Sequence, residues 1–136
     1  KGWVKPLMAN ALIPNLLGVC LFTNITLAIR PSTWAKVLSA ALGREVSLEE
    51  LLRSAERVMH LERQINARFG FDRKDDMLPS RFFTEPGTHG PGIEIPPIDR
   101  GAFEETLDRY YRIRGCKPDG TLTGERIGEL NICRSR

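Results

Sequence analysis

The chain has 136 residues, a formal charge of +3, 41% hydrophobic residues and 27% charged residues, the proportions of a soluble globular protein rather than a disordered tail. Lysine and arginine are interleaved with aspartate and glutamate and form no basic run, which argues against a nucleic-acid footprint. Three widely spaced cysteines make neither a disulfide framework nor a zinc signature and fit a reducing, cytoplasmic setting.

The first element is an apolar stretch over residues 7–29. Asn10, Pro14, Asn15, Gly18 and Asn24 interrupt it, so no continuous run approaches the roughly 20 residues a membrane span needs. No small-residue cleavage site follows, as a secretory leader requires. Residues 6–28 read instead as two helical pieces broken near Pro14, whose nitrogen has no hydrogen to donate. The chain opens on Lys1-Gly2-Trp3 without an initiator methionine, the expectation for a segment of a larger protein.

Within this stretch lies Asn15-Leu16-Leu17-Gly18-Val19-Cys20. Gly18 admits close approach to the backbone, and Leu16, Leu17, Val19 and Leu21 are expected to form a dry wall. A thiolate in such a wall is costly unless a metal neutralises it. The residues alone leave two readings of Cys20: a buried structural thiol, or a single ligand to a cofactor held mostly by other groups.

A short helix is expected from about Ser32, with Gly43 as its terminator. Ser47-Leu48-Glu49-Glu50 reads as a capping box, the Ser47 hydroxyl meeting the Glu50 amide and the Glu50 carboxylate reaching back. The helix it opens runs to about Phe69. Leu48, Leu51, Leu52, Ala55, Val58, Met59, Ile65 and Phe69 share one stripe, Gly70 ends it, and His60 is expected at the border of that stripe.

Residues 71–98 lose the helical period. Pro79 is expected to start a turn of helix carrying Phe82 and Phe83, followed by a Pro/Gly-rich surface loop pinned by Ile93, Ile95 and Ile98. Asp75-Asp76 offers too few ligands for a metal; the acids either pair with Arg73, Lys74 and Arg81 or cap the Pro79 turn. His89 reads as a solvated loop residue.

Asp99 is the expected N-cap of a helix burying Phe103, Leu107, Tyr110 and Tyr111 and ending at Gly115. A turn follows at Cys116-Lys117-Pro118-Asp119-Gly120. Thr121 or Thr123 then caps a final helix through Leu130. Cys116 in its turn and Cys133 in a tail expected to fray suggest no chemistry. The sum is an all-α fold: a single irregular helical domain over residues 1–136, of about five to seven helices, with an extended loop at 71–98. There is no Gly-rich phosphate loop, no HExxH and no spacing that points to a nucleophile and its base, so no catalytic residue is assigned.

Three stretches resemble the tungsten-dependent aldehyde:ferredoxin oxidoreductase family. NLLGVC is similar to its D-x-x-G-L-C motif. INARFGFDRKDDMLPSRFFTEP resembles its G-F-x-R-x-D-D-x-L-P signature with a following E-P, and LDRYYRIRGCKPDGTLTGERIGELNI resembles its closing region, with Y-Y-x-x-R-G-W before a final helix. They run in order over residues 12–132 and identify the chain as similar to the family's C-terminal domain.

The resemblance implies oxidation of aldehydes to carboxylates by tungsten, or molybdenum, held by two pterins, with a four-iron four-sulfur cluster passing electrons to ferredoxin. Three cluster cysteines are supplied earlier in such proteins. The fourth maps to Cys20; the motif's Asp, which contacts the pterin, maps to Asn15 and its Leu to Val19, so Asn15, Val19 and Cys20 are the implied cofactor-binding residues. Asn15 replaces a carboxylate by a neutral amide that still accepts hydrogen bonds. Cys116 stands at the family's tryptophan position, which loosens local packing. The partners implied are the N-terminal and middle domains of the same protein, ferredoxin and an aldehyde. The isolated segment is expected to be inactive and to hold no cofactor, since one thiolate cannot retain a cluster. The alternative is a non-catalytic helical interaction module docking through its apolar N-terminal segment, and either reading leaves an apolar face through which a dimer would form.

Overall fold

The computed structural model describes residues 4–26 and 29–132. It has seven α-helices: α1 (Val4–Leu16), α2 (Phe22–Thr26), α3 (Pro31–Leu42), α4 (Leu48–Arg68), α5 (Arg81–Thr84), α6 (Arg100–Arg114) and α7 (Gly124–Glu129). A 3-10 turn spans Arg73–Asp76, and two-residue strands β1 (Gly87–Thr88) and β2 (Glu94–Ile95) pair antiparallel. The fold is all-α in outline, as the sequence predicts. No described helix is long and apolar enough to cross a membrane.

The residues fall into two compact units, one running to Glu62 and including Leu130–Ile132, the other Arg63–Glu129. The core of the first is built by Ala9, Ile13, Trp34, Ala35, Leu51 and Ala55, with Leu17 and Val19 packed on it. Ile13 and Ala55 are fully buried. The Arg57 Nε–H donates to the Leu130 carbonyl at 2.7 Å, which ties the last residues of this unit to α4.

The expected break near Pro14 lies later in the chain. Pro14 is inside α1, in its last turn, and the interruption is residues 17–21. A proline near a helix end removes one hydrogen bond without stopping the turn it sits in. Gly18, at φ +70°, makes the stop. The Val19 amide donates to the Pro14 carbonyl at 2.9 Å and the Gly18 amide to the Asn15 carbonyl at 3.2 Å. That nested pair is the Schellman ending, which requires a left-handed residue. No group approaches within 4 Å of where a Cβ would stand. Gly18 therefore serves helix termination, and no side chain of the described residues fills the space beside it.

Elsewhere the expected caps form. Gly43 ends α3 in the left-handed region, the Asp99 carboxylate accepts the Ala102 amide at 2.7 Å, and Thr123 accepts the Arg126 amide at 3.2 Å. At α4 the expected capping box is half formed: the Ser47 hydroxyl accepts the Glu50 amide, but the Glu50 carboxylate, expected to reach back, pairs with the Arg44 guanidinium at 2.8 Å instead. The α4 stripe is buried in its middle only: Leu48, Ile65 and Phe69 are exposed. His60, expected at the border, is buried, and its Nδ1–H donates to the Glu56 carbonyl at 2.7 Å.

In the second unit the expected loop at 71–98 contains the 3-10 turn, α5 and the β1–β2 hairpin. Ile93, Ile95 and Ile98 are exposed rather than pinned. Backbone bonding replaces apolar anchoring: the Ile98 amide donates to the Phe82 carbonyl at 2.9 Å. Phe83 packs edge-on against Phe103 with ring centres 5.5 Å apart, joining this segment to α6. Of the residues expected to be buried on α6, Tyr111 is fully so, and Phe103, Leu107 and Tyr110 are half-buried. Cys133 lies outside the described residues.

Candidate functional site

Cys20 lies in residues 17–21, between the Schellman ending of α1 and the first turn of α2. Its thiol is free and exposed. Its carbonyl accepts from both the Thr23 hydroxyl, at 2.7 Å, and the Thr23 amide, at 3.1 Å, which starts α2. Within this chain Cys20 is therefore not a core thiol, and the flanking leucines do not close around it. Leu17 and Val19 turn inward onto the core, while Leu16 and Leu21 are each 37% exposed and Phe22 is 64% exposed. A five-residue connection cannot bury every side chain where the chain reverses, and here Leu17 and Val19 go in. Asn15, in the last turn of α1, is exposed as well.

Among the described residues no group of three or more His, Cys, Asp or Glu side chains is arranged to hold a metal ion. What this segment offers is one accessible soft donor at a rigidly terminated helix end. That donor set fits one corner of an iron–sulfur cluster and no more.

The sequence reading missed a side-chain amide beneath this segment. Pro14 has no hydrogen for the carbonyl four residues earlier, that of Asn10. Asn24 supplies one: its Nδ2–H donates to the Asn10 carbonyl at 2.8 Å and lies 3.3 Å from Asn10 Oδ1. Asn24 Oδ1 in turn accepts the Trp34 indole N–H at 2.6 Å. The indole only donates and the carbonyl only accepts, so the amide has one permissible orientation. The signal was legible: a proline inside a helix announces an orphan carbonyl four residues back.

A second polar cluster lies wholly in the other unit. Asp76 accepts both arms of the Arg63 guanidinium, at 2.7 and 2.5 Å, and the Tyr111 hydroxyl donates to the same carboxylate. Arg63 Nε–H also donates to the Gly120 carbonyl at 2.9 Å. Burial pushes the Asp76 carboxyl up, but the hydrogen bonds from Arg63 and Tyr111 outweigh it and hold it below its ordinary value. Burial and the Asp76 carboxylate raise the Tyr111 phenol to about 12. The expected cationic partners act elsewhere: Arg73 pairs with Asp108 at 2.5 Å, Lys74 with Asp72 at 3.2 Å, and Arg81 lies over the Phe82 ring. Asp75 accepts the Asp72 amide as one arm of a capping box. Tyr111 and Asp76 are enclosed by protein cations, and the arrangement is a brace for the fold.

Residues 1–132 match the family model described as aldehyde ferredoxin oxidoreductase, domains 2 and 3. The chain is 38% identical over 127 residues to the tungsten-containing aldehyde ferredoxin oxidoreductase of Thermococcus kodakarensis, covering 90% of this chain and 19% of that protein. It is 37% identical over 118 residues to the protein of that name from Pyrococcus furiosus, covering 85% of this chain and 18% of that one. The Pyrococcus horikoshii protein of the same name is 35% identical over 119 residues. The chain thus spans less than a fifth of the length of these relatives.

Proposed function

This chain belongs to the aldehyde ferredoxin oxidoreductase family, and from that membership we propose that it is part of an oxidoreductase converting aldehydes to carboxylates, with Cys20 as one thiolate ligand of a four-iron four-sulfur cluster. When bound, that cluster supplies one-electron transfer between a tungsten or molybdenum bis-pterin and ferredoxin. This chain's own part is to present a sulfur and to shape the surface around it. In this reading Asn15 contacts the pterin through its side-chain amide, and Val19 holds the neighbouring position of the same motif.

The observation that carries the reading is the exposure of Cys20. A ligand whose partners lie in other parts of a longer protein has to stand at a surface. The exposed Leu16, Leu21 and Phe22 around it support the same conclusion, because apolar side chains grouped at a surface favour being covered. The remaining cluster cysteines, most pterin contacts and the groups that act on the aldehyde then belong to the rest of the longer protein.

The test is iron content, visible absorbance and electron paramagnetic resonance of the full-length protein, with and without Cys20→Ser. The cluster signal should be lost or converted to a form with fewer irons. An unchanged signal in the variant would refute the ligand assignment. The 136-residue chain alone should bind no stoichiometric iron and sulfide.

A further inference from the structure

We propose that Asn24 is a positioning residue for Cys20: its side-chain amide, tied to the Asn10 carbonyl and to the Trp34 indole, closes residues 17–21 and fixes the direction in which the sulfur leaves them.

Two kinds of contact hold the segment of residues 17–21. Its own hydrogen bonds are local: Val19 to Pro14, Gly18 to Asn15, and Thr23 to Cys20. They define the shape of the turn; Leu17 and Val19 pack it on the core without directional bonds, and Asn24 adds the polar tie. It grips Asn10, on the α1 side of the turn and 14 residues away in sequence, and receives Trp34, 10 residues onward on α3. Trp34 is 7% exposed and belongs to the core of the unit, so its indole is a fixed reference point. The helices on either side of the Cys20 segment, α1 and α2, are thus referred to one buried ring through one amide.

The need for that amide is set by Pro14. Without Asn24 the Asn10 carbonyl has no donor from its own helix, and the Trp34 indole loses its acceptor. Both vacancies are relieved by letting residues 17–24 move away from α3 and admit water. The predicted consequence is a change in where the Cys20 sulfur sits, not the loss of the domain.

The proposal rests on the ligand reading of Cys20 only for its last step, and the test separates the two. Its first arm is amide hydrogen exchange in the full-length protein. Asn24→Leu, which removes donor and acceptor at near-constant volume, should speed exchange at Val19 and Thr23 about tenfold or more while the amides of α4 keep their rates. Trp34→Phe, which deletes one donor and keeps an aromatic ring in the core, should do the same to a smaller degree. Unchanged exchange at Val19 and Thr23 in both variants overturns the proposal.

The second arm is the cluster's midpoint potential and resonance line shape in the full-length protein. Both should move in Asn24→Leu, and less in Trp34→Phe, with iron content kept. If Cys20→Ser abolishes the cluster signal but Asn24→Leu leaves potential and line shape as in the parent, Asn24 is structural and the proposal fails. If Cys20→Ser leaves the cluster intact, the ligand reading fails, and the exchange arm alone then decides whether Asn24 clasps the segment.

Discussion

The Tyr111 hydroxyl donates to the Asp76 carboxylate across 35 residues of sequence, and the same carboxylate takes both arms of Arg63. Three elements of the second unit, the end of α4, the 3-10 turn and α6, therefore meet at one acidic side chain. Removing members of this group should have graded effects. Tyr111→Phe deletes one hydrogen bond to a charged acceptor and should cost about 1.5 kcal/mol. Asp76→Ala leaves a guanidinium and a hydroxyl without their acceptor and should cost about 3 kcal/mol. Urea midpoints at unchanged slope measure both.

The same group sets the pH limits of stability. Asp76 titrates lower in the fold than in the unfolded chain, so its contribution is present above about pH 4 and is lost as pH falls through the folded value. Tyr111 titrates higher, at about 12, so its contribution is complete below about pH 10 and is lost as pH rises toward 12. Thermal midpoints against pH should show both limbs. Tyr111→Phe should flatten the alkaline one, and an alkaline limb unaltered in that variant would show that another group drives it.

Two glycines with positive φ should differ sharply. At Gly18 an added Cβ meets nothing within 4 Å, so Gly18→Ala carries only the left-handed strain, about 1 kcal/mol. At Gly120 the same atom would stand 2.1 Å from Arg63 Nη2 and 3.0 Å from the Tyr111 hydroxyl. Gly120→Ala must displace the Asp76 brace and should cost about 3 kcal/mol. Equal denaturation midpoints for the two variants would contradict this.

Ile13→Ala tests the core of the first unit. The side chain has no exposure and packs in the cluster with Trp34 and Leu51. A loss of about 3 kcal/mol is expected, the middle of the range for an aliphatic cavity.

Thiol reactivity should separate two of the cysteines. Cys20 is exposed, whereas Cys116 is half-buried and its thiol is pushed up by that burial. In a Cys133→Ser background, alkylation of the folded chain should reach Cys20 at least about tenfold faster than Cys116. Peptide mapping after a timed iodoacetamide pulse reads the ratio.

Much of the fold was legible because its punctuation is local. Gly43, Asp99, Gly115 and Ser47 act within four residues of themselves, where sequence and geometry are nearly the same thing. Residues 71–98 were legible only in outline: Pro and Gly announced the absence of long helices but not the β1–β2 pairing, which sets Gly87 against Ile95 and Thr88 against Glu94. At the proposed site, Asn15, Val19 and Cys20 were singled out by resemblance to a motif, while the flanking leucines suggested surroundings for Cys20 that the structure does not have. Whether Leu16 and Leu21 face the core depends on where α1 stops, and that was misplaced at Pro14. Asn24 and Trp34 went unnoticed because their partners are 10 and 14 residues away. Asp76 was given neighbours in sequence when its true partner, Arg63, lies a helix end earlier.

Pro14 has a last consequence, for inheritance rather than energy. An alanine there would bond to Asn10 itself and leave the amide of Asn24 with less to do, so positions 14 and 24 are expected to change together. Among relatives, sequences that lack the imino acid should be the ones free to dispense with the asparagine, and an aligned family that paired the two at random would argue that the tie is incidental.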